Sequence, residues 1–225
     1  MILDRLGSIV KLHNMIIDIW SDVVCPWCFI GKRRLEKALS LFEHRDHVII
    51  RHRAFQLQPD ITTTVPTAQH LAEKYRLTPS KVKEMQANVC AIADGEGLCY
   101  NLDDTVSGNT FDAHRLLLWA AKIGKQGQLL EAMYSAYFEK SQPLFSHEDL
   151  IAVSTIAGCE KSEVLEILNS DAFAQAVLED RQLASQLGAT GVPFFVVDMK
   201  YGISGAQPLE AFTQTLESAW QESQR

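Results

Sequence analysis

Two cysteines separated by two residues, Cys25 and Cys28, stand where the chain changes from a strand pattern to a helix pattern. Residues 15–20 form a short apolar run with β-branched side chains, which favours a buried strand. Pro26 follows Cys25, and proline is preferred at the first position of a helix, where no backbone N–H is needed. Apolar residues then recur at helical spacing, and residues 48–57 alternate like a second strand. The order predicts a β-α-β unit with Cys25 at the N-terminus of its helix.

The position of Cys25 favours thiolate chemistry. The first turn of a helix has unpaired backbone N–H groups and carries the positive end of the helix dipole. Both stabilise a thiolate, which is the nucleophile in disulfide exchange. Cys28 lies one helical turn further on, within reach of a disulfide with Cys25. We therefore predict dithiol–disulfide exchange, with Cys25 as nucleophile and Cys28 as resolving thiol.

A zinc site is the main alternative for a C-x-x-C pair. A structural zinc ion usually takes four ligands, often from two such pairs, and the chain has only one C-x-x-C pair. We predict no metal and no required cofactor. The three other cysteines, Cys90, Cys99 and Cys159, are predicted to be small buried apolar side chains, with a Cys90–Cys99 redox pair as the alternative.

Strand patterns return near the C-terminus. Residues 194–197 and 201–204 are predicted strands joined by a tight turn, and residues 209–221 are a predicted amphipathic helix. Almost everything between the two strand regions has helical periodicity. We predict an α/β fold, β-α-β…β-β-α, interrupted by an all-helical insertion. The expected parts are an N-terminal extension (1–14), one domain formed by 15–60 and 189–225, and the insertion (61–188).

Within the insertion, several helix boundaries are predicted. Residues 67–96 are predicted to be helical, and residues 98–108 are predicted to be a loop or extended link. Ser146 resembles a helix N-cap, because acidic residues follow it in the first turn. Further helices are expected over 109–123, 125–140, 151–157, 162–168 and 171–187.

A proline precedes the predicted strand 194–197. Pro193 cannot donate to a sheet, so it belongs at the first residue of a strand. A cis bond between Val192 and Pro193 would turn the Val192 backbone towards an extended substrate; a trans proline is the alternative. The position of this motif after the C-x-x-C unit and the helical insertion favours the cis form. We predict that Val192 and Pro193 bind substrate.

Three further residues are candidates for substrate binding. Pro26 and Trp27 lie between the two cysteines, and Trp27 is expected to offer substrate an apolar contact. Asn109 lies near the start of an insertion helix and is expected to line the cleft above Cys25, or to cap that helix.

Four polar residues near these motifs receive no catalytic role. Asp18 and Asp22 are close to the C-x-x-C pair in sequence, but Asp22 precedes the helix and Asp18 can serve the strand alone. His114 and Arg115 are interpreted as ordinary packing or surface residues.

The charge of the chain excludes a general nucleic-acid surface. The net charge is −7, whereas binding to phosphates depends on clustered Lys and Arg. Three consecutive cations, Lys32 to Arg34, are predicted to form a solvated helix face.

Hydropathy predicts a protein without a membrane-spanning segment. No apolar run approaches the roughly 20 residues that span a bilayer. Residues 1–14 have no sustained apolar core and no small-residue cleavage site, which predicts a cytoplasmic protein.

Several motifs together resemble the DsbA-like oxidoreductase family of the FrnE type, in the same order along the chain. They are Ser21-Asp22-Val23-Val24-Cys25-Pro26-Trp27-Cys28, Gly31-Lys32-Arg33-Arg34-Leu35-Glu36, Phe55-Gln56-Leu57, Asn109-Thr110-Phe111-Asp112-Ala113-His114-Arg115, Thr190-Gly191-Val192-Pro193 and Ser204-Gly205-Ala206-Gln207-Pro208. The resemblance implies a thioredoxin fold interrupted by a helical domain, a cis Pro193, and redox roles for Cys25 and Cys28.

Two departures leave the direction of electron flow open. DsbA itself is periplasmic, whereas this chain is predicted to be cytoplasmic. DsbA also has histidine between its cysteines, where this chain has Trp27.

Relatives by architecture include 2-hydroxychromene-2-carboxylate isomerases and kappa-class glutathione transferases, in which serine typically stands at the position of Cys25.

We therefore carry three functional hypotheses. The first is a cytoplasmic thiol–disulfide oxidoreductase acting on protein or small-molecule thiols and disulfides, with glutathione as an optional co-substrate. The second is a glutathione-dependent isomerase or transferase. The third is a redox-sensing or holdase protein. We expect no nucleic-acid or membrane partner, and a homodimer is compatible with the sequence.

Overall fold

The computed structural model describes residues 14–224 and builds them around a four-stranded sheet. The strand order is β2-β1-β5-β6, with β1 and β2 parallel and the other two pairings antiparallel. The strands are β1 (Met15–Ser21), β2 (Val48–Ala54), β5 (Phe194–Val197) and β6 (Tyr201–Ser204). Two-residue strands β3 (Val65–Pro66) and β4 (Val106–Ser107) pair separately.

Helices cover both faces of the sheet. On one face, α1 (Pro26–Leu41) packs against α9 (Leu209–Ser223), and their apolar side chains meet β1 and β5 in one core. On the other face, Trp20 and Phe194 pack against α8 (Ala174–Gln186). The Trp20 indole N–H donates to the Asp180 carbonyl oxygen at 2.8 Å, which fixes α8 to the central strand.

Seven helices, α2 to α8, separate the two strand regions, and six of them precede α8. They are α2 (Thr67–Tyr75), α3 (Pro79–Gly95), α4 (Phe111–Lys122), α5 (Gln126–Tyr134), α6 (His147–Ile156) and α7 (Lys161–Leu168). A second core joins helices α3 to α7 to the first two turns of α1, including Cys28, Phe29 and Ile30. The predicted α/β fold with helices inserted between β-α-β and β-β-α is confirmed. The exact domain boundaries stay a prediction, and residues 1–13 of the expected extension lie outside the described residues.

Most local predictions match, but one helix is divided. The strands β5 and β6 have the predicted bounds, and Ser146 forms a capping box with Asp149. The helical region expected over residues 67–96 is divided into two helices, because Arg76 adopts a left-handed conformation with φ 53° and ends α2. Thr78 then caps α3, and Pro79 occupies its first turn.

Within residues 14–224, no helix is both long and apolar enough to cross a bilayer.

Candidate active site around Cys25 and Cys28

Cys25 is the N-cap of α1. Its backbone is extended (φ −92°, ψ 110°), Pro26 follows in the first turn, and no side chain caps the helix. The Cys25 N–H donates to the Asp22 carbonyl oxygen at 3.1 Å, and the Cys28 N–H donates to the Cys25 carbonyl oxygen at 3.0 Å. Cys25 thus lies at the uncapped N-terminus of α1, as the sequence predicts.

The two thiols are unbonded and differ in their surroundings. Both are buried, with 4% of Cys25 and 2% of Cys28 exposed. Burial raises the pKa of Cys28 well above its ordinary value, and the neighbouring Cys25 raises it further. The charge of Asp22 acts in the same direction, whereas a hydrogen bond from the Asp22 backbone opposes it. Cys28 is therefore held as a thiol.

The start of β5 lies against the Cys25 sulfur. The Cys25 thiol donates to the Val192 carbonyl oxygen at 3.5 Å, and the Val192–Pro193 bond is cis. The Gly205 N–H donates to the Pro193 carbonyl oxygen at 2.8 Å, linking this segment to the end of β6. The structure thus brings Val192 into contact with the predicted nucleophile, and Pro193 directly follows it.

Pro26 and Trp27 are half-buried beside the cysteines. Trp27 packs against the core shared with the inserted helices. The Tyr100 hydroxyl donates to the Pro26 carbonyl oxygen at 2.7 Å, and its ring stacks on Phe138 with centroids 4.9 Å apart. Sequence reasoning did not identify Tyr100, because it lies in the link between α3 and β4 with no motif around it.

Asn109 connects the segment after β2 to the start of α4. Its side-chain oxygen Oδ1 accepts from the Gln56 side-chain amide at 2.9 Å and from the Phe111 N–H at 2.9 Å. Its amide nitrogen donates to the carbonyl oxygens of Pro59 at 3.0 Å and Ile61 at 3.3 Å. These contacts occupy the Asn109 amide with protein partners, so its expected role in substrate binding stays a prediction.

Asp22 and His114 form a buried pair beside the cysteine loop. The His114 Nε2 lies 3.2 Å from one Asp22 carboxylate oxygen, and the Leu57 N–H donates to the other at 2.7 Å. Only 1% of Asp22 and 2% of His114 is exposed. Arg115 is also buried, and its guanidinium donates to the carbonyl oxygens of Ile167, Ser170 and Ala172. The expectation that His114 and Arg115 are ordinary residues missed these polar contacts.

The three cations at the start of α1 are paired within the protein. Lys32 and Arg33 both contact Glu131 of α5, and Lys32 lies 2.6 Å from it. Arg34 lies 2.6 Å from Glu96 at the end of α3. The predicted solvated face is therefore wrong, because these side chains join α1 to the inserted helices and are only 13–26% exposed.

A cleft of about 1240 Å³ lies between α1, β2 and the helices α4, α5 and α8. Lys32, Arg33 and His52 line it, together with residues of the inserted helices. None of the predicted site residues lines this cleft.

The remaining cysteines differ from one another. Cys159 is buried and Cys90 is half-buried, whereas Cys99 is exposed, so the predicted burial of Cys99 is wrong. In the part of the chain that the structure describes, no group of three or more His, Cys, Asp or Glu side chains could hold a metal ion.

Known proteins share this architecture. The DSBA-like thioredoxin domain family matches residues 16–217. A probable DsbA oxidoreductase from Streptomyces coelicolor is 44% identical, with a TM-score of 0.89 over 92% of this chain and 91% of that chain. No curated protein matches this chain.

Two more distant structures share the fold alone. The cytosolic disulfide reductase DsbM from Pseudomonas aeruginosa, solved with GSH, is 15% identical, with a TM-score of 0.62 over 92% of this chain and 99% of that chain. A 2-hydroxychromene-2-carboxylate isomerase is 16% identical, with a TM-score of 0.64 over 92% of this chain and 97% of that chain. The family resemblance and the thioredoxin fold expected from the motifs are confirmed, and the chain belongs to the DSBA-like thioredoxin domain family.

Proposed function

We propose that this protein is a thiol–disulfide oxidoreductase in which Cys25 is the nucleophile and Cys28 the resolving thiol. One observation carries the proposal: Cys25 caps a helix of 16 residues with no competing side-chain cap, and Cys28 follows within the first turn. Backbone N–H groups and the helix dipole stabilise negative charge at that position.

The reaction has two steps. The Cys25 thiolate attacks one sulfur of a substrate disulfide, a mixed disulfide forms, and the other substrate sulfur leaves as a thiolate. The Cys28 thiol then loses its proton and attacks the Cys25 sulfur, which releases the second substrate sulfur. Two electrons pass from the cysteine pair to the substrate disulfide, and the reverse sequence oxidises a substrate dithiol.

The protein surroundings suit these steps. The Val192 carbonyl oxygen lies 3.5 Å from the Cys25 sulfur, so a substrate chain that reaches this sulfur passes the Val192 backbone. Trp27 and Pro26 are partly exposed beside it and offer apolar contact. We keep Asn109 as a candidate that lines the cleft above Cys25 and binds substrate.

Redox equilibration in glutathione buffers tests the proposal. Thiol trapping and mass spectrometry should find a reversible Cys25–Cys28 disulfide, and Cys25→Ser should abolish exchange. Cys28→Ser should stop at the mixed disulfide. A potential near about −270 mV would assign a reductase, and one near about −120 mV an oxidant. Full exchange by Cys25→Ser would refute the proposal.

Glutathione-dependent isomerisation or transfer is the second candidate. The shared fold with a 2-hydroxychromene-2-carboxylate isomerase and with a disulfide reductase solved with GSH favours glutathione as a ligand to test. This candidate predicts saturable glutathione binding that survives Cys28→Ser. The third hypothesis, a redox sensor or holdase, predicts stoichiometric oxidation without turnover.

Several finer assignments remain proposals. We propose that the protein is of the FrnE type and works in the cytoplasm on protein or small-molecule thiols and disulfides, without a required cofactor. The cytosolic DsbM with the same fold supports that compartment. Sedimentation of the reduced protein would test the homodimer.

A further inference from the structure

The Tyr100 hydroxyl joins the inserted region to the peptide group that follows Pro26 in the C-x-x-C turn. It donates to the Pro26 carbonyl oxygen at 2.7 Å, across 74 positions of the sequence. Hydrogen bonds between two oxygens in proteins are commonest near about 2.7–2.8 Å, so this contact is well formed. The two exchange steps proposed above make no use of Tyr100.

The ring of Tyr100 is held in place by its neighbours. It stacks on Phe138 with centroids 4.9 Å apart, and on Phe29 near the start of α1 with centroids 6.1 Å apart. The next residue, Asn101, donates its N–H to the Phe138 carbonyl oxygen at 2.6 Å. Because the ring and the adjoining backbone are both anchored, the hydroxyl is fixed against Pro26.

Tyr100 keeps its proton at neutral pH. Burial raises the pKa of its phenol, and the charges of Cys25 and Cys28 raise that pKa further. A backbone carbonyl oxygen only accepts hydrogen bonds. The Tyr100 hydroxyl is therefore a lasting donor to Pro26 under the conditions of disulfide exchange.

The Pro26 carbonyl belongs to the same peptide group as the Trp27 N–H. Trp27 is the second residue of α1, and N–H groups in the first helical turn have no partner inside the helix. A side chain at the N-cap, here that of Cys25, accepts from the N–H of the second or third helical residue. The third residue, Cys28, already donates to the Cys25 carbonyl oxygen at 3.0 Å. Of these two donors, the Trp27 N–H is the one that remains for the Cys25 sulfur.

Ionisation changes the hydrogen bonding of the Cys25 sulfur. As a thiol it donates to the Val192 carbonyl oxygen at 3.5 Å. As a thiolate it has no proton to donate and can only accept. The thiolate therefore depends more than the thiol does on the N–H groups at the start of α1.

We propose that Tyr100 stabilises the Cys25 thiolate through the Pro26–Trp27 peptide group, as a positioning residue. This inference rests on the proposed oxidoreductase function. The hydroxyl fixes the plane of the peptide group and draws electron density towards the carbonyl oxygen, which makes the Trp27 N–H a stronger donor. Hydrogen bonds in a chain strengthen one another in this way by roughly 10–30% per bond. A stabilised thiolate favours the reduced protein, so Tyr100 shifts the cysteine pair towards oxidising substrate dithiols.

Other titratable and charged groups face Cys25 and Tyr100. The charge of Cys25 acts on Cys28 and on Tyr134 of α5, while Arg33 and Cys90 act on Tyr100. Among the described residues, Tyr100 is the side chain whose hydrogen bond reaches the Pro26–Trp27 peptide group. Removal of its hydroxyl therefore tests this one connection.

The ultraviolet absorbance of the thiolate, followed against pH in Cys28→Ser, measures the effect on Cys25. Tyr100→Phe added to this variant removes the hydroxyl and keeps the stacked ring. We expect the midpoint of the titration to move to higher pH by about 0.5–1 pH unit, the worth of about one hydrogen bond. Cys25→Ser/Cys28→Ser gives the background of the other thiols and the phenols.

Equilibration with glutathione gives a second readout in the intact pair. One protein dithiol reduces one glutathione disulfide to two glutathione thiols and becomes the Cys25–Cys28 disulfide. At a pH above the midpoints with and without the hydroxyl, Tyr100→Phe should raise the equilibrium constant for this oxidation by roughly three- to tenfold. Below both midpoints Cys25 is a thiol in either protein, so the two constants should agree within about twofold.

Tyr137→Phe is the matched control. The Tyr137 hydroxyl also donates to a backbone carbonyl oxygen, that of Val106, at 2.8 Å, and its ring packs against the same Phe138 with centroids 4.9 Å apart. Its removal costs a similar hydrogen bond outside the C-x-x-C turn. It should move the thiolate midpoint by less than about 0.3 pH unit.

Three results would overturn the inference. The first is a thiolate midpoint in folded Tyr100→Phe that stays in place or moves to lower pH. The second is an equal upward shift in Tyr100→Phe and Tyr137→Phe. The third is an equal change of the glutathione equilibrium above and below the midpoints, which would assign the effect to the disulfide. Absence of any Cys25–Cys28 disulfide in the unmodified protein would instead refute the proposed function.

Discussion

The Cys25 thiol donates a hydrogen bond to the Val192 carbonyl oxygen at 3.5 Å, although 167 positions separate the two residues. This contact requires α1 to lie close to the start of β5. Gly31 lies at a close approach between them, because a Cβ there would lie 3.1 Å from the Pro193 ring and 3.1 Å from the Phe195 ring. Both of those side chains are buried.

Gly31→Ala should therefore destabilise the protein and slow exchange. The added methyl group would lie 3.1 Å from each of two buried rings, so at least one ring must shift, and overpacking of this kind costs about 1–3 kcal/mol. Urea unfolding of the reduced protein measures the loss. Gly127→Ala in α5 is the matched control, since a Cβ there meets no atom within 4 Å and alanine favours helix. Equal midpoints for the two variants would contradict the packing argument.

Alkaline pH should destabilise the reduced protein through Cys28. Burial and the neighbouring Cys25 raise the pKa of Cys28 above its ordinary value of 9.0. At a pH above the ordinary pKa of the unfolded chain and below the raised pKa of the folded protein, only the unfolded chain releases the proton. Stability is therefore lost as pH rises above about 9. Denaturant unfolding at several pH values should show a steeper loss for the unmodified protein than for Cys28→Ala. Parallel curves would argue against a raised pKa at Cys28.

Acid should destabilise the protein through His52 in β2. Burial, with the nearby charge of Lys32, lowers the pKa of His52 from 6.5 to about 4. The unfolded chain gains a proton first as pH falls, so the contribution of His52 to stability is present above about pH 6.5 and is lost towards pH 4. His52→Gln should show a smaller loss of stability over that range.

His147→Gln provides the control for His52→Gln, because the His147 side chain is 48% exposed. Its Nε2 lies at the surface, 3.5 Å from an Asp112 carboxylate oxygen, so a comparison of acid unfolding between the two variants isolates what burial adds. If both glutamine variants flatten the acid response equally, the effect does not come from burial of His52.

Gln126 should matter for the contact between β2 and the inserted helices. Its amide accepts the His52 N–H at 3.1 Å and donates to the His52 carbonyl oxygen at 2.9 Å, as a neighbouring strand would. Gln126→Leu leaves these backbone groups without their partner, which should cost about 1–3 kcal/mol in urea unfolding. Gln128→Leu, at an exposed position of the same helix, should change stability by less than about 0.5 kcal/mol. A similar cost for both would assign the loss to helix α5 in general.

Sequence alone predicted the elements whose signals are local. The start of α1 follows from Pro26 and the apolar spacing behind it, and β5 and β6 follow from short apolar runs around a tight turn. The break between α2 and α3 was missed because apolar spacing continues across it, although Thr78 and Pro79 are a local start signal.

The sequence by itself determined the C-x-x-C pair at a helix start, the α/β order with inserted helices, and the family resemblance. Each depends on neighbours within a few residues, or on the order of motifs. Only the tertiary structure decided which distant side chains meet: His114 reaches Asp22 across 92 positions, and Tyr100 reaches Pro26 across 74. The physical reason is that a polar side chain with no hydrogen-bond partner nearby in the sequence carries no local signal, whether it lies in a helix, as His114 does, or in a loop, as Tyr100 does. Its hydrogen-bond partner is determined by how the inserted helices pack over the N-terminus of α1.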